Sequence, residues 1–475
     1  VARLRNWRHS ASRISTDDPT LRAAVDRAVD DLGALRIFDP AHTDRTVVAA
    51  GAPWFMTLFG RDSLLTSWMS LLVDHDLALG VLQELADTQG EREDPRSDEQ
   101  PGKILHEVRF DRLSARLLGG HGRYYGSIDA TPLFVMLAAE LTRWVGADDR
   151  IRSLLPAVDR AIEWIDRFGD RDGDGFIEYL RGDPAGLEHQ GWKDSWDGIR
   201  HADGAVAAPP IALCEAQGYV YGALLARADL ARSFGESAET RRTFLERADH
   251  FKAHFNDAFW SDRRGAYIVG LDAEKRPIES NASNIGHLLW TGIVPEARRR
   301  AVADLLVAPS MFSGWGLRTL ASDAAGYNPL SYHCGSVWPH DTAIAVAGLA
   351  AACLDDAASV LAGGLLDAST HSGGRLPELF AGFARDDVGA PVPYPASCSP
   401  QAWSAAAPLL LVRAMLGLQP DAVAGRLLLR PRLAPGIDRL HVTGLPIGDA
   451  TVDIRVEGAD ATVDVVGGSL DVNVR

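Results

Sequence analysis

Apolar residues recur at helical spacing along most of the chain. Between residues 20 and 36 they return every three or four positions, and Asp17 and Asp18 lie just before, where they can cap a helix N-terminus. The predicted helices pair with their neighbours through alternating short and long loops. Twelve helices in six pairs is the number that an (α/α)6 barrel requires. Similar patterns predict the other helices from about residue 61 and over about 77–89, 124–145, 149–168, 210–234, 237–255, 283–289, 295–307, 339–354, 356–366 and 400–416.

The pattern changes after residue 420. Short segments rich in β-branched residues alternate between apolar and polar positions, with glycine-rich turns between them, at 427–431, 441–442, 450–456 and 462–466. This predicts a small antiparallel β tail. We therefore expect a mainly-α chain, with an (α/α)6-barrel catalytic domain over residues 1–420 and a small β-rich C-terminal subdomain over residues 421–475.

Composition narrows the class of protein. The 475 residues are 46% hydrophobic and 24% charged, as in globular chains with a sizeable core, and no apolar run reaches membrane-spanning length. The net charge of −16 argues against a nucleic-acid partner and favours a neutral or cationic substrate such as a neutral polysaccharide. Four scattered cysteines without a CxxC pair indicate reduced thiols, so we expect a cytoplasmic protein with no membrane partner.

The segment 191–198, Gly-Trp-Lys-Asp-Ser-Trp-Asp-Gly, concentrates two carboxylates and two indoles. The rings of Trp192 and Trp196 can stack on the C–H face of a sugar. Low polarity beside them would raise the pKa of an aspartic acid and keep it protonated as a general acid. Asp194 is the first candidate for this acid and Asp197 the second. The alternative is a tight loop whose aspartates cap a helix and whose tryptophans fill a groove.

A second candidate carboxylate lies far downstream. Glu378 follows Pro377 within an apolar run, where the proline would fix the backbone and the flanking Leu376 and Phe380 would anchor the loop. Glycoside hydrolysis needs two carboxylates on opposite faces of one sugar. We therefore expect Glu378 to be the base that activates water, and the alternative is a carboxylate that starts a helix.

Charged and aromatic residues cluster in other loops as well. Arg61 and Asp62 follow Trp54 and Phe59 and would grip sugar hydroxyls through charge-assisted hydrogen bonds, unless they form only a structural salt bridge. The stretch 328–341 is the densest in polar and aromatic residues, and its histidine spacing fits no common zinc motif. Further candidate substrate contacts are Glu107, Arg109, Tyr125, Asp129, Lys193, Tyr332, His333, Trp338, His340 and Trp403.

Residues 170–175, Asp-Arg-Asp-Gly-Asp-Gly, look like the front half of a calcium-binding loop. The twelfth position of such a loop is Arg181, where a bidentate glutamate is required. A sharp turn capped by its own aspartates is the favoured interpretation. We therefore expect no metal and no cofactor.

Five motifs in order resemble the amylo-α-1,6-glucosidase family, the glucosidase part of glycogen-debranching enzymes and their bacterial relatives. The resemblance implies an (α/α)6 barrel related to glucoamylases and trehalases, with inverting hydrolysis of α-glucosidic bonds. It also implies Asp194 as the acid, Glu378 as the base, and Arg61 with Asp62 at the innermost sugar. The motifs are Phe-Gly-Arg-Asp-Ser at 59–63, Gly-Trp-Lys-Asp at 191–194, Gly-Ser-Val-Trp-Pro-His-Asp at 335–341, Leu-Pro-Glu-Leu-Phe at 376–380 and Ser-Pro-Gln-Ala-Trp at 399–403.

Bacterial relatives of that family often carry an upstream β-rich domain, and the chain begins with valine, so we expect a missing N-terminal β domain. The leading hypothesis is an inverting, exo-acting α-glucoside hydrolase that removes glucose from a glucan branch or an oligosaccharide. Because the wider barrel group also acts on small α-glucosides and α-mannosides, the alternative substrate is a disaccharide or a glycosylglycerate. Two hypotheses from other classes are a sugar epimerase or isomerase using His333, His340 or His371, and a non-catalytic glucan-binding protein.

Overall fold

The computed structural model describes residues 7–8, 11–38, 42–43, 45–108 and 122–475, and within these ranges the protein is mainly α-helical. Most predicted helices are found within a few residues of their expected ends. The prediction for residues 149–168 is found as two helices and a π-helical turn at Ile165–Gly169. The helices are α1 (Pro19–Ala34), α2 (Gly60–Ser70), α3 (His75–Asp87), α4 (Ala130–Val145), α5 (Asp149–Arg152), α6 (Leu155–Trp164), α7 (Cys214–Ser233), α8 (Ala238–Phe259), α9 (His287–Thr291), α10 (Glu296–Leu306), α11 (Pro339–Ala351), α12 (Asp355–Thr370), α13 (Arg385–Val388) and α14 (Ala402–Leu416).

Six of the described helices pack side by side in a closed order. Helix α2 packs against α4, α4 against α7, α7 against α9, α9 against α11, α11 against α14, and α14 against α2. Other helices lie against this ring: α1 contacts α14, α3 contacts α2 and α4, α6 contacts α4, α8 contacts α7, and α12 contacts α11. We call α2, α4, α7, α9, α11 and α14 the ring helices.

Burial explains why the two sets of helices differ in sequence. All eleven residues of α2 are buried, and α14 is buried everywhere except at Arg413 and Ala414. In α8, outside the ring, only Ala248, Phe255, Asn256 and Phe259 are buried, so the helix carries a single apolar stripe. A helix that is buried on all sides needs neighbours on all sides, and the ring provides them.

Short strands tie the loops between helices together. They are β2 (Arg36–Phe38), β3 (Thr46–Val48), β4 (Glu107–Val108), β5 (Arg123–Tyr124), β6 (Ala212–Leu213), β7 (Trp260–Ser261), β8 (Ala266–Tyr267), β9 (Gly270–Leu271) and β10 (Pro277–Ile278), and β1 (Arg13–Thr16) precedes them all. Strand β4 pairs with β5 just before α4, and β9 pairs with both β6 and β10 around the start of α7. None of the helices in the described part of the chain has the length and apolar character to cross a membrane.

The β-rich tail differs from its prediction in two respects. Its strands are β11 (Gln419–Asp421), β12 (Arg426–Leu429), β13 (Arg439–Ile447), β14 (Ala450–Glu457), β15 (Asp460–Gly467) and β16 (Asp471–Val474). The larger sheet has the order β1-β13-β14-β15, so a strand near the start of the chain pairs with β13. The smaller sheet has the order β11-β12-β16, and β12 pairs with β16 in parallel, whereas the prediction was purely antiparallel. The division of the chain between residues 420 and 421 stays a prediction.

Close contact between α3 and β3 yields a stability prediction. A Cβ added at Gly80 would lie 2.2 Å from the carbonyl oxygen of Thr46, which is backbone and cannot rotate away. We expect Gly80→Ala to lower the free energy of unfolding by about 1–3 kcal/mol, as overpacking does. Urea denaturation followed by circular dichroism measures the change.

The matched control is Gly363→Ala in α12, where an added Cβ meets no atom within 4 Å. This substitution should leave stability unchanged or raise it by about 0.5–1 kcal/mol, because alanine restricts the unfolded chain and favours helix. Equal stability of the two variants would contradict the close packing at Gly80.

Candidate active site

The predicted site residues within the described part of the chain lie at the N-terminal ends of the ring helices or in the loops between helices. Contacts between side chains join the N-terminal ends of neighbouring ring helices. Arg61 of α2 pairs with Asp129 before α4, and His340 of α11 stacks on Trp403 of α14. Helix N-termini carry a partial positive charge, which favours carboxylates nearby. The residues at these ends are Arg61 and Asp62 in α2, Asp129 before α4, Glu215 in α7, Asn284 before α9, His340 and Asp341 in α11, and Gln401 and Trp403 around the start of α14.

Arg61 is one of two buried cations among the described residues of this site, and Lys193 is the other. Its Nε lies 2.9 Å from Asp129 Oδ2, and its Nη1 donates to the carbonyl oxygen of Gly191 at 2.9 Å. A third contact reaches His106 Nδ1 at 3.4 Å. The guanidinium therefore links the first turn of α2 to the cap of α4 and to the loop that carries Trp192 and Asp194.

Asp194 extends from that loop into a partly open position. Its Oδ2 lies 3.7 Å from Arg61 Nη1, and 27% of its side chain is exposed. Loss of hydration raises the pKa of Asp194 to about 6, against the opposing effect of Arg61, and the charge of Asp129 raises it further. A carboxyl group with this pKa keeps its proton up to about pH 6, well above the range of an ordinary aspartic acid, which suits it to act as a general acid in that range.

Glu378 is held more tightly. Its Oε2 accepts a hydrogen bond from the backbone N–H of Cys398 at 2.7 Å, and its Oε1 accepts one from the hydroxyl of Tyr332. Burial raises the pKa of Glu378 above its usual value, the two donors oppose this rise without cancelling it, and the charge of Asp194 adds to it. The group is thus a buried carboxylate whose ionised form is supported by two donors and which faces the field of Asp194.

Asp62 adds a third carboxyl group to the same region. Its Oδ2 accepts a hydrogen bond from Gln401 Nε2 at 3.2 Å, which joins the first turn of α2 to the start of α14. Burial raises the pKa of Asp62 to about 7, Arg61 opposes this rise, and the charges of Asp194 and Glu378 add to it. The three carboxyl groups therefore influence one another electrostatically.

Aromatic rings form one continuous cluster beside these carboxyl groups. The Trp192 ring meets His333, Trp338 and His340 edge-to-face at centroid distances of 5.7, 5.8 and 5.2 Å. His340 in turn stacks on Trp403 at 3.7 Å. Burial holds the pKa of both His333 and His340 well below the ordinary histidine value, so both rings are neutral.

Lys193 does not occupy the position expected of a substrate contact. Its side chain is buried, and its ammonium donates to Asn284 Oδ1 and to the carbonyl oxygen of Thr319, each at 2.6 Å. Asn284 donates in turn to Glu215 Oε1 at 2.7 Å. The lysine fastens the loop of Asp194 to the starts of α7 and α9; this geometry does not favour a direct substrate contact, which stays a prediction.

Tyr125 is likewise engaged within the protein, because its ring is buried and its hydroxyl donates to the carbonyl oxygen of Thr88 at 2.8 Å. Its contact with substrate stays a prediction. Asp197 accepts hydrogen bonds from Ser195 Oγ and Arg200 Nη2 at 3.1 and 3.2 Å, so its two oxygens are engaged within its own loop. This arrangement favours Asp194 over Asp197 as the acid.

The remaining predicted residues divide by exposure. Trp54 and Trp196 are 59% and 71% exposed, whereas Phe59 and Glu107 are buried near the N-terminal end of α2. Arg109 lies outside the described residues. Contact of these residues with a substrate stays a prediction.

Two polar groups of the site were missed by the sequence reasoning. Gln401 contacts Asp62, as described, and His287 forms a chain in which its Nδ1 meets the Tyr219 hydroxyl and its Nε2 lies 2.8 Å from Asp341 Oδ1. Gln401 falls within the recognised motif at 399–403, so the motif itself was the available signal. His287 and Tyr219 are isolated polar positions in apolar helices and carry no local signal.

A metal ion at this site has no support in the described residues. Within the described part of the chain, one group of three or more His, Cys, Asp or Glu side chains converges closely enough to hold a metal ion. It consists of Asp170, Asp172, Asp174 and Glu178 and does not include the site carboxyl groups. The arrangement instead provides two aspartic acids with raised pKa values, Asp194 and Asp62, a glutamate held by two hydrogen-bond donors, and the buried Arg61 guanidinium between helix ends.

Comparison with solved structures shows the fold. The chain resembles a family GH78 rhamnosidase of Bacillus sp. GL1 (TM-score 0.68, 14% identity, 98% of this chain and 43% of that chain) and an alpha-L-rhamnosidase of Dictyoglumus thermophilum (0.62, 12%, 98% and 45%). It also resembles the GH63 mannosylglycerate hydrolase of Thermus thermophilus in complex with glucose (0.61, 16%, 82% and 100%). The chain spans less than half the length of the two rhamnosidases. No curated protein matched the sequence.

A family model supplies the classification. The model of the mannosylglycerate hydrolase MGH1-like glycoside hydrolase domain matches residues 96–383, which is more than half of the chain and includes both Asp194 and Glu378. The finding supports a glycoside hydrolase and does not support the specific debranching glucosidase that the motifs resemble. The chain belongs to the MGH1-like glycoside hydrolase family.

Proposed function

We propose that this chain is an inverting hydrolase of a small α-linked glycoside of the glycosylglycerate type, with Asp194 as general acid and Glu378 as general base. The observation that carries the proposal is the contrast between the two carboxyl groups. Asp194 is partly exposed with a pKa raised to about 6, and Glu378 is buried and held by two hydrogen-bond donors. The family of the chain supports the reaction class.

In this mechanism Asp194 protonates the glycosidic oxygen as the bond to the aglycone breaks. Glu378 removes a proton from a water molecule that attacks the anomeric carbon from the opposite face. Inversion requires the two carboxyl groups to lie roughly 6.5–9.5 Å apart so that the water fits between sugar and base. Arg61 and Asp62 bind hydroxyl groups of the innermost sugar, and the Trp192–Trp338 cluster provides an apolar wall.

Two observations support a small substrate over a glucan branch. The family model carries the name of a mannosylglycerate hydrolase, and the Thermus mannosylglycerate hydrolase is a structural neighbour that is covered along its whole length. The motifs that resemble debranching glucosidases keep an α-1,6-linked glucose branch as the second candidate. Mannosylglycerate and glucosylglycerate are therefore the first substrates to test.

We infer that the ring helices are the inner layer of an (α/α)6 barrel. Their closed packing order and the outer positions of α1, α3, α6, α8 and α12 support this arrangement. In such a barrel all inner helices start at one end, which would gather the carboxyl groups at a single mouth. The proposed catalytic domain over residues 1–420 corresponds to this barrel.

The epimerase hypothesis is less well supported by the electrostatics. An epimerase of this kind would use histidines as acid and base, and a ring that donates a proton must first be protonated. The lowered pKa values of His333 and His340 make both rings poor acids near neutral pH. The glucan-binding hypothesis leaves the contrast between Asp194 and Glu378 without a role.

The first prediction concerns product and stereochemistry. Proton NMR of the chain with mannosylglycerate, glucosylglycerate, isomaltose, maltose, trehalose and a branched glucosyl dextrin should show the β-anomer of the released sugar first, because water attacks opposite the leaving α-oxygen. A glycosylglycerate should react fastest. Early release of the α-anomer would refute the inverting mechanism, and fastest release from the dextrin would restore the debranching hypothesis.

The second prediction assigns the two roles. Asp194→Asn and Glu378→Gln should each lower kcat by about 10²–10⁴, the usual contribution of a positioned acid or base. A glycosyl fluoride, whose leaving group needs no proton, should restore activity to Asp194→Asn and not to Glu378→Gln. Asp197→Asn is the matched control and should stay within about tenfold of the parent, because Asp197 bonds to Ser195 and Arg200. Rescue of the Glu378 variant alone would reverse the assignment.

The third prediction concerns pH. The kcat/KM profile should be bell-shaped, with its acidic limb from ionisation of Glu378 and its basic limb from loss of the Asp194 proton near pH 6. Tyr332→Phe removes a hydrogen bond that favours ionised Glu378. A hydrogen bond to a charged group contributes about 1.5 kcal/mol, which corresponds to about one pKa unit, so the pKa of Glu378 should rise by about that much. The acidic limb should therefore move to higher pH.

Tyr327→Phe serves as the control for losing a tyrosine hydroxyl. That hydroxyl donates to the carbonyl oxygen of Gly382 at 2.8 Å, and not to a carboxylate. Its removal should leave both limbs in place. An acidic limb that stays unchanged in Tyr332→Phe would contradict the role of Tyr332 as the residue that positions and ionises Glu378.

A further inference from the structure

Four carboxylates converge outside the candidate active site, in the segment between α6 and α7. One ligand oxygen from each of Asp170, Asp172, Asp174 and Glu178 can be chosen so that all four lie within 4.8 Å of one another. The turn is closed by backbone donors, since Asp170 accepts hydrogen bonds from the N–H groups of Gly173 and Gly175. We call these four residues the acidic cluster.

Glu178 differs from the other three residues of the acidic cluster because it is buried, which a turn on the surface does not require. Its residue is 3% exposed, and neither carboxylate oxygen accepts a hydrogen bond. A buried carboxylate without hydrogen bonds is costly unless a cation compensates it. Because the side chain is directed into the cluster, the compensating cation belongs among the other three aspartates.

Lys275 supplies part of the positive charge. Its ammonium lies 2.7 Å from Asp172 Oδ2 and 2.6 Å from Asp174 Oδ2, but 3.6 Å from Glu178 Oε1. One ammonium charge faces four carboxylates, so most of the negative charge is left without a counterion. The lysine side chain is about one-third exposed and can turn outward into solvent.

We propose that the acidic cluster binds a divalent cation, with calcium as the best match, and that the ion displaces the Lys275 ammonium. All four ligands are carboxylates, which hard oxygen-seeking cations prefer, and calcium tolerates the irregular geometry of a flexible loop. The sequence pattern did not favour a calcium site, because the twelfth loop position, where a glutamate ligand is required, is Arg181. The fold supplies the missing glutamate three residues earlier, at Glu178.

The position of the cluster gives the ion a structural role. Phe176, between the ligands, stacks on His254 of α8 at 4.5 Å, and Lys275 belongs to the turn between β9 and β10. The chain continues from Glu178 to Asp194 in sixteen residues. The ion fastens the start of the segment that carries the proposed acid, and its binding can be measured whether or not that acid is correctly assigned.

Isothermal titration of the chelator-treated full chain with CaCl2 tests the site. The parent should bind one ion per chain. Glu178→Gln and Asp172→Asn should each weaken binding at least tenfold, since each removes a charged ligand. Lys275→Gln should bind calcium several-fold more tightly than the parent, because its competing ammonium is gone. Circular dichroism of each variant establishes that it is folded.

The matched control is Asp203→Asn, which alters an aspartate whose Oδ1 accepts the N–H of Ala205 in another turn, and it should bind as the parent does. No heat of binding in either the parent or Lys275→Gln would overturn the proposal. Parent-like affinity in folded Glu178→Gln would also overturn it, because the ion would then lie elsewhere. Equal affinity for magnesium would overturn the assignment to calcium.

Discussion

The candidate site depends on one buried cation. The Arg61 guanidinium contacts Asp129, the carbonyl oxygen of Gly191 and His106, and it lies next to Asp194. A charge removed from water is tolerated only when its partners are also held in place. Here those partners come from the cap of α4, from the residue before β4 and from the loop after residue 190. The loop is therefore positioned by the same ion pair that lowers the cost of burying the carboxyl groups.

Sequence patterns predicted the outer helices most directly, because a helix with one exposed face carries an apolar stripe. Four of the ring helices, α2, α7, α11 and α14, lack such a stripe, and the periodicity of α14 in particular is weak because nearly every residue is buried. Their ends were still predictable from the polar and glycine-rich loops between them. The pairing of β1 with β13 was not predictable from the sequence, because four residues near the start of the chain pair with a strand more than 400 positions later.

The sequence points to candidate site residues most clearly where several chemical signals lie together. The carboxylates Asp194 and Glu378 stand in short motifs with aromatic or proline neighbours, and the structure brings both into one electrostatically coupled group. Lys193 was predicted to contact the substrate because it lies next to Trp192 and Asp194 in the same motif. Its ammonium instead donates hydrogen bonds to Asn284 and to a backbone carbonyl. Motif membership identifies the loop, but only the fold determines which way each side chain points.

The different supports of the two carboxyl groups explain how they can hold different protonation states within one site. Glu378 receives a backbone and a hydroxyl donor, and both stabilise its ionised form. Asp194 has the Arg61 charge at 3.7 Å but the stronger effect of lost hydration, which leaves its pKa near 6. Once Glu378 is ionised, its field further favours the proton on neighbouring acids, as the raised pKa of Asp62 illustrates. The carboxyl groups are therefore one coupled arrangement: the charge of Asp194 raises the pKa of Glu378, and the charges of both raise the pKa of Asp62.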